Sequence, residues 1–191
     1  MQTDTLIQEK DRLRDRLKSA RQARSIENQL SASAQVCRHL AEKFRLRPGI
    51  RAAAFMAIRG EVDLSHLVEL VPSIEWYLPK VVDVEAPLEF GRWAPGKLER
   101  GAYGIWEPVG ELEAAEGLDV ILVPGLGFTR SGRRLGMGGG FYDRTLNGYG
   151  GEVIGVAYEE EVVEELPWAA HDRCVDSLVT PLGWYRCISE S

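Results

Sequence analysis

Residues 124–144 read PGLGFTRSGRRLGMGGGFYDR, with seven glycines and four arginines in twenty-one positions. An apolar run, LDVILVPG (118–125), leads into this stretch, and FYDRTLNGY (141–149), which suits a helix, leads out of it. Strand, glycine-rich loop and helix in that order form a natural setting for an anion. The first N–H groups of a helix are unpartnered and carry the positive end of its dipole. Glycines let phosphate oxygens approach the backbone with no Cβ in the way. Gly136, Gly138, Gly139 and Gly140 would form such a cradle, and Arg133 and Arg134 would add charge-assisted hydrogen bonds. Asp143 falls in the first turn of the helix, where its carboxylate would suit a Mg²⁺ ion bridging phosphates. The loop is not a Walker A loop, because G-K-[ST] is missing, nor a dinucleotide fingerprint, because G-x-G-x-x-G is not met at the strand exit. A flexible surface loop is the plain alternative. Phe128, Phe141 and Tyr142, interleaved with arginines and an acid, argue against a mere linker.

The elements that must position these groups can be read from periodicity. Residues 4–24 contain no Gly or Pro and place Leu6, Leu13, Leu17 and Ala20 on one helical stripe. Lys10 falls at the edge of that stripe and Arg14 just beyond it. Helix geometry alone favours a snorkelling Lys10, its stem covering apolar surface, over a cation aimed at a buried anion. Ser25 can cap a second helix over 26–45 with Ile26, Leu30, Cys37, Leu40, Ala41 and Phe44 inward. Strands are then expected at 50–58, 74–81, 88–94 (an edge), 118–125, 152–158 and 178–188, with helices at 62–71 and 141–149. This alternation predicts a three-layer αβα domain with a largely parallel central sheet and the N-terminal helices packed against it. No repeat or linker interrupts it, so one domain over residues 1–191 is expected.

Composition narrows the partners. A net charge of −6 argues against a nucleic-acid binder driven by bulk charge. No apolar run approaches the roughly 20 residues of a membrane span, and the N-terminus is too polar for a signal peptide. Cys37, Cys174 and Cys187 are widely spaced, with neither a C-x-x-C nor a Cys/His cluster. A cytoplasmic monomer with reduced thiols is the expectation.

The long loop resembles a stretch carried by the 5-formyltetrahydrofolate cyclo-ligase family. It stands here as Pro124-Gly125-Leu126-Gly127-Phe128, Gly132, and Arg134-Leu135-Gly136-Met137-Gly138-Gly139-Gly140-Phe141-Tyr142-Asp143-Arg144. The likeness extends over nearly the whole chain, through Lys10-x-x-Leu13-Arg14, Glu61-Val62-Asp63, Leu78-Pro79-Lys80, Gly104-Ile105-Trp106-Glu107-Pro108, His171-Asp172 and Val175-Asp176. The resemblance implies an ATP- and Mg²⁺-dependent enzyme that converts 5-formyltetrahydrofolate to 5,10-methenyltetrahydrofolate, giving ADP and phosphate. The formyl oxygen would be phosphorylated first, which turns a poor leaving group into a good one. By the same resemblance, Lys10 and Arg14 reach ATP phosphates, which reverses the bland reading of Lys10. Arg134 and the residues through Tyr142 complete the ATP loop, with Lys10 and Arg134 in catalytic roles. Asp143 and Asp172 match the Mg²⁺ carboxylates. Met56, Glu61 and Met137 to Phe141 match folate contacts. Phe55, Tyr103 and Trp106 are candidate aromatic walls for a flat pterin. Departures from the family pattern fall at Met137, Phe141 and Trp106, and none removes a phosphate or metal group. His39, His66 and His171 read as structural, surface or helper residues. Two alternatives stand beside this reading: a paralogue that activates another formyl or amide group with ATP, and a non-catalytic nucleotide-binding regulatory module on the same scaffold.

Overall fold

The computed structural model describes residues 2–94, 96–101, 103–168 and 173–188, with side chains from residue 6 onward. His171 and Asp172 therefore lie outside the described residues. The chain opens with two helices, α1 (Gln2–Gln22) and α2 (Ile26–Phe44), and Ser25 caps α2 by accepting from the Asn28 N–H. There follow β1 (Arg51–Ala53), a single-turn α3 (Leu67–Leu70), β2 (Glu75–Lys80), β3 (Glu89–Arg92), β4 (Leu98–Arg100), β5 (Trp106–Pro108) and β6 (Leu112–Glu113). The second half holds β7 (Val120–Pro124), β8 (Gly127–Phe128), β9 (Arg134–Leu135), α4 (Phe141–Leu146), β10 (Glu152–Val156), β11 (Ser177–Thr180) and β12 (Gly183–Arg186).

Eight strands form one sheet in the order β12-β11-β10-β7-β1-β2-β3-β6. The five central strands, from β11 to β2, run parallel, and β12, β3 and β6 are antiparallel additions at the two sides. The expected three-layer architecture with a largely parallel sheet is thus present. Strand β7 shows how it is built. Val120 and Leu122 enter the cluster with Leu40 and Phe44 of α2, while Ile121 and Val123 enter the cluster with Leu146 of α4. A strand buried on both faces is a continuous apolar run, as 120–123 is. From β1 the chain steps one way to β2, and from β7 it steps the other way to β10 and β11. The reversal between β1 and β7 opens a crevice at their carboxyl ends, where open parallel sheets bind ligands.

Several expectations change in detail. Ala20 of α1 is exposed and Arg21 is buried in its place; at about 100° per residue Arg21 sits closer to Leu17 than Ala20 does. Ile26 and Leu30 share the inward face of α2, yet they are exposed because the first turns of the helix overhang the core. The expected helix over 62–71 keeps one turn, with Val62 and Leu64 buried in irregular backbone. The edge strand expected at 88–94 is covered by β6. The final strand expected over 178–188 is a hairpin, β11–β12, turned at Pro181-Leu182. Of the two N-terminal helices, α2 packs on the sheet. α1 lies across the carboxyl side, where Leu13 and Leu17 meet Leu126, Leu135, Met137 and Leu166.

Candidate functional site

The glycine-rich stretch is not one open loop. Gly127 and Phe128 pair with Leu135 and Arg134 as the β8–β9 hairpin, closed by a turn in which Thr129 Oγ1 accepts from the Arg133 N–H at 3.1 Å. Alternation along β9 sends Leu135 into the apolar cluster under α1 and Arg134 the other way. Arg133 is directed away from the cradle expected of it and lies over the Trp168 ring at 5.1 Å. The Arg134 side chain is only 5% exposed and pairs with Asp143 in the first turn of α4. Its Nε is buried with no hydrogen-bond partner among the described residues. Gly140 caps α4 at φ 68, and a Cβ there would stand 2.6 Å from Arg144 Nη1. Arg144 spends its guanidinium on backbone: Gly139 O at 3.0 Å, Val84 O at 2.8 Å and Ala86 O at 3.2 Å. It shapes the loop and does not face a ligand.

Helix α1 supplies the opposite wall. Arg14 Nε donates to Gly136 O at 3.1 Å, a bond spanning 122 residues, and Arg14 Nη1 donates to Asp11 at 2.6 Å. A Cβ on Gly138 would lie 3.6 Å from the Arg14 guanidinium carbon, so this glycine leaves the cation uncovered. Lys10, one turn earlier on the same face, is half-buried. Arg14 is the α1 cation seen in contact with the glycine loop, at the Gly136 carbonyl.

Below the loop, β1 ends and the chain runs through Met56 to Glu61. Met56 is half-buried and packs on the α2 side of the core. Glu61 is 7% exposed; it accepts from the Ile58 N–H at 3.1 Å and lies 3.7 Å from Arg21 Nη1. Burial pushes its carboxyl up to about 7, with the Ile58 N–H and the Arg21 guanidinium opposing that shift. Arg21 also donates through Nε to Glu161 at 2.7 Å and through Nη2 to Gly125 O. Burial raises the Glu161 carboxyl too, against the pull of Arg21. Burial raises the Tyr142 hydroxyl, helped by the charge of nearby Glu61. Arg21 thus ties the exits of β1, β7 and β10 to α1. Sequence reading missed Arg21 and Glu161. The signal for Arg21 was a charge on the apolar stripe of a helix; nothing singled Glu161 out of the run Glu159-Glu160-Glu161.

Of the aromatic candidates, Tyr103 meets Phe141 edge to face at 5.9 Å, bringing the tip of the β4–β5 hairpin to the loop. Trp106 is exposed beneath Arg100 at 4.3 Å, and Phe55 is core, 3% exposed. The Leu78-Pro79-Lys80 and Gly104–Pro108 motifs serve each other, since Lys80 Nζ reaches Glu99 at 2.7 Å and Pro108 O at 3.3 Å. A broad depression of about 640 Å³ lies elsewhere, against α2, Glu152 and Ser177 at the amino ends of β10 and β11, and the β12 edge. None of the chemistry above faces it.

The site therefore offers a cationic, glycine-lined cradle beside a buried acid, with a carboxylate at its rim. Asp143 keeps one oxygen on Arg134 and is half-exposed. That leaves the second oxygen for a hard cation, which suits Mg²⁺, an ion that takes one or two carboxylates and fills its remaining positions with phosphate and water. Among the described residues no group of three or more His, Cys, Asp or Glu forms a protein-only cage.

Residues 6–181 match the model of the 5-formyltetrahydrofolate cyclo-ligase family. A 5-formyltetrahydrofolate cyclo-ligase of Mycolicibacterium smegmatis is 41% identical over 103 residues, 51% of this chain and 53% of that protein, so the match spans about half of that relative's length. The Escherichia coli K12 cyclo-ligase is 35% identical over 139 residues, 68% of this chain and 76% of that protein. In structure, the chain is similar to the 5,10-methenyltetrahydrofolate synthetase of Aquifex aeolicus, with a TM-score of 0.83 and 37% identity over 95% of this chain and 94% of the other.

Proposed function

This chain belongs to the 5-formyltetrahydrofolate cyclo-ligase family, and we propose that it cyclises 5-formyltetrahydrofolate to 5,10-methenyltetrahydrofolate at the expense of ATP. The observation that carries the reading is the Arg14–Gly136 clamp, which holds the cationic face of α1 against the glycine loop. In the first step the formyl oxygen attacks the γ-phosphorus and the bond to ADP breaks, leaving an N5-iminium phosphate. In the second, N10 attacks the activated carbon, the C–O bond breaks, phosphate departs and N10 loses its proton. Phosphoryl transfer asks mainly for positioning and positive charge. Lys10 and Arg14 from α1, Arg134 from β9 and the N–H groups of Gly138 to Tyr142 supply both. The buried Nε of Arg134, with no hydrogen-bond partner among the described residues, supports a role toward phosphate.

Asp143 and, by resemblance, Asp172 would hold Mg²⁺, whose chemistry there is to neutralise charge between phosphate oxygens. Met56, Glu61 and Met137 to Phe141 would contact the folate, with Glu61 buried deeply enough to discriminate an N–H edge from water. Among the described residues the cysteines form no disulfide, and a cytoplasmic monomer folded as one domain is part of the same proposal. No helix among the described residues is long and apolar enough to cross a membrane.

The test is direct. Protein, MgATP and 5-formyltetrahydrofolate are mixed and the methenyl chromophore is followed by near-ultraviolet absorbance. Appearance of the band, dependent on ATP, supports the reading. No band at high protein concentration removes it, and ATP turnover with another formyl compound would then point to the paralogous activity.

A further inference from the structure

Two of the three cysteines come together where the β11–β12 hairpin closes. Cys174 precedes β11 and Cys187 follows β12, and both are half-buried. Beyond the paired strands the Cys187 N–H still donates to Asp176 O at 3.2 Å. On the other side the chain lies against the turn of the β8–β9 hairpin, where the Val175 N–H donates to Gly132 O at 2.8 Å. Gly132 gauges how near the two cysteines are. A Cβ built on it would lie 3.0 Å from the Cys187 Cβ and 3.4 Å from the Cys174 Cβ. Both Cβ atoms thus flank a single point over a residue that has no side chain. Disulfide-linked Cβ atoms stand about 3.5–4.5 Å apart, a separation that two atoms around such a point reach with a small shift. The thiols also sense each other. Burial pushes the Cys187 thiol up to about 11, and the charges of Cys174 and Asp176 add to that shift. The third cysteine, Cys37, lies apart in the α2 core, its thiol donating to Asp63 O at 3.4 Å.

We propose that Cys174 and Cys187 are a site of reversible oxidation, forming an intrachain disulfide that staples the two ends of the β11–β12 hairpin beside Gly132. The bond forms whatever substrate the glycine loop serves. A low-molecular-weight disulfide, such as glutathione disulfide, is the oxidant. One cysteine sulfur attacks it, forming a mixed disulfide and releasing the first glutathione. The second cysteine sulfur attacks the first, and the second glutathione leaves. Two thiols of the chain become one disulfide, one glutathione disulfide becomes two thiols, and the two cysteine protons pass to the departing thiolates. Such a bond is transient in a compartment that keeps thiols reduced and accumulates when that poise shifts. Closing the loop restricts the unfolded chain, so the oxidised form is the more stable one.

The experiment equilibrates the full chain with glutathione disulfide at mildly alkaline pH, then alkylates the remaining thiols under denaturing conditions and maps them by peptide mass spectrometry. The expected product carries one link between Cys174 and Cys187, is two hydrogens lighter than the reduced chain, and has Cys37 alkylated. Its Tm should rise by about 5–10 °C and return when dithiothreitol is added. Cys174→Ser and Cys187→Ser should each abolish both the link and the rise, while Cys37→Ala keeps them. The map of the parent chain decides the question even where a serine variant fails to fold. A parent that keeps both thiols overturns the site, as does glutathione held on one cysteine with no internal link, or a link between two chains. A link that forms without raising Tm overturns the staple.

Discussion

Asp143 faces two cations in prospect: the Arg134 guanidinium it already holds and the metal its free oxygen can take. Removing it should act on phosphoryl transfer and leave the folate contacts alone. Asp143→Ala is expected to lower kcat by about 100-fold or more, while the dissociation constant for 5-formyltetrahydrofolate, read by tryptophan quenching, stays within a factor of two. A rate unchanged at saturating Mg²⁺ would take Asp143 out of the metal role. Glu61 titrates in the folded state near 7 against 4.5 for the free side chain. A raised carboxyl means that the folded state binds more protons than the unfolded state between those values, so stability falls as pH rises across that window. Glu61→Gln should flatten this decline; thermal melts of both proteins from pH 4.5 to 7 give the comparison, and parallel curves would show that Glu61 is not the group responsible.

The β8–β9 hairpin is the element that aims Arg134, and its turn depends on Gly132. This residue has φ 93, and a Cβ on it would run into the carbonyl oxygen of Val175, which itself accepts no slack because the Val175 N–H bonds Gly132 O at 2.8 Å. Gly132→Ala should cost more than about 2 kcal/mol, a fall of roughly 4–8 °C in Tm for a domain of this size, and should lower kcat through the displaced Arg134. An alanine variant as stable as the parent would show that the hairpin can shift without strain. Helix α1 has the complementary role. Its polar clamp at Arg14 fixes the loop, and its buried Arg21 fixes the three strand exits, so one helix sets both the cradle and the acid beneath it.

At the level of the molecule, the two sides of the sheet share β7, β10 and β1. Among the described residues those shared strands join the two sides, and one cooperative unit is expected. Calorimetry should give one transition whose van't Hoff and calorimetric enthalpies agree, and sedimentation should return the 21.3 kDa of a single chain. Two separated transitions would show that α1 and the loop melt independently of the sheet. The proposed site lies at the reversal of strand order between β1 and β7, and the two segments assigned to it, Met56–Glu61 and the glycine loop, come from the two exits that flank that point.

Much of this was written in local pattern. The doubly buried strand β7 announced itself as a continuous apolar run, α2 by its cap and stripe, and the loop by glycines and arginines interleaved with Phe128, Phe141 and Tyr142; the family likeness followed from the same residues. Local pattern also carried its own errors, placing Ile26 and Leu30 inside and drawing one strand where Pro181-Leu182 turns a hairpin. What the tertiary structure alone decided is which charges meet. Periodicity gives the face of a helix on which a residue sits, but not what stands opposite it. Arg14 with Gly136, Arg21 with Glu61 and Glu161, and Gly132 with Cys174 and Cys187 all join segments far apart in the chain. Those contacts exist because the order of strands in the sheet brings their exits together, and strand order is a property of the packed whole.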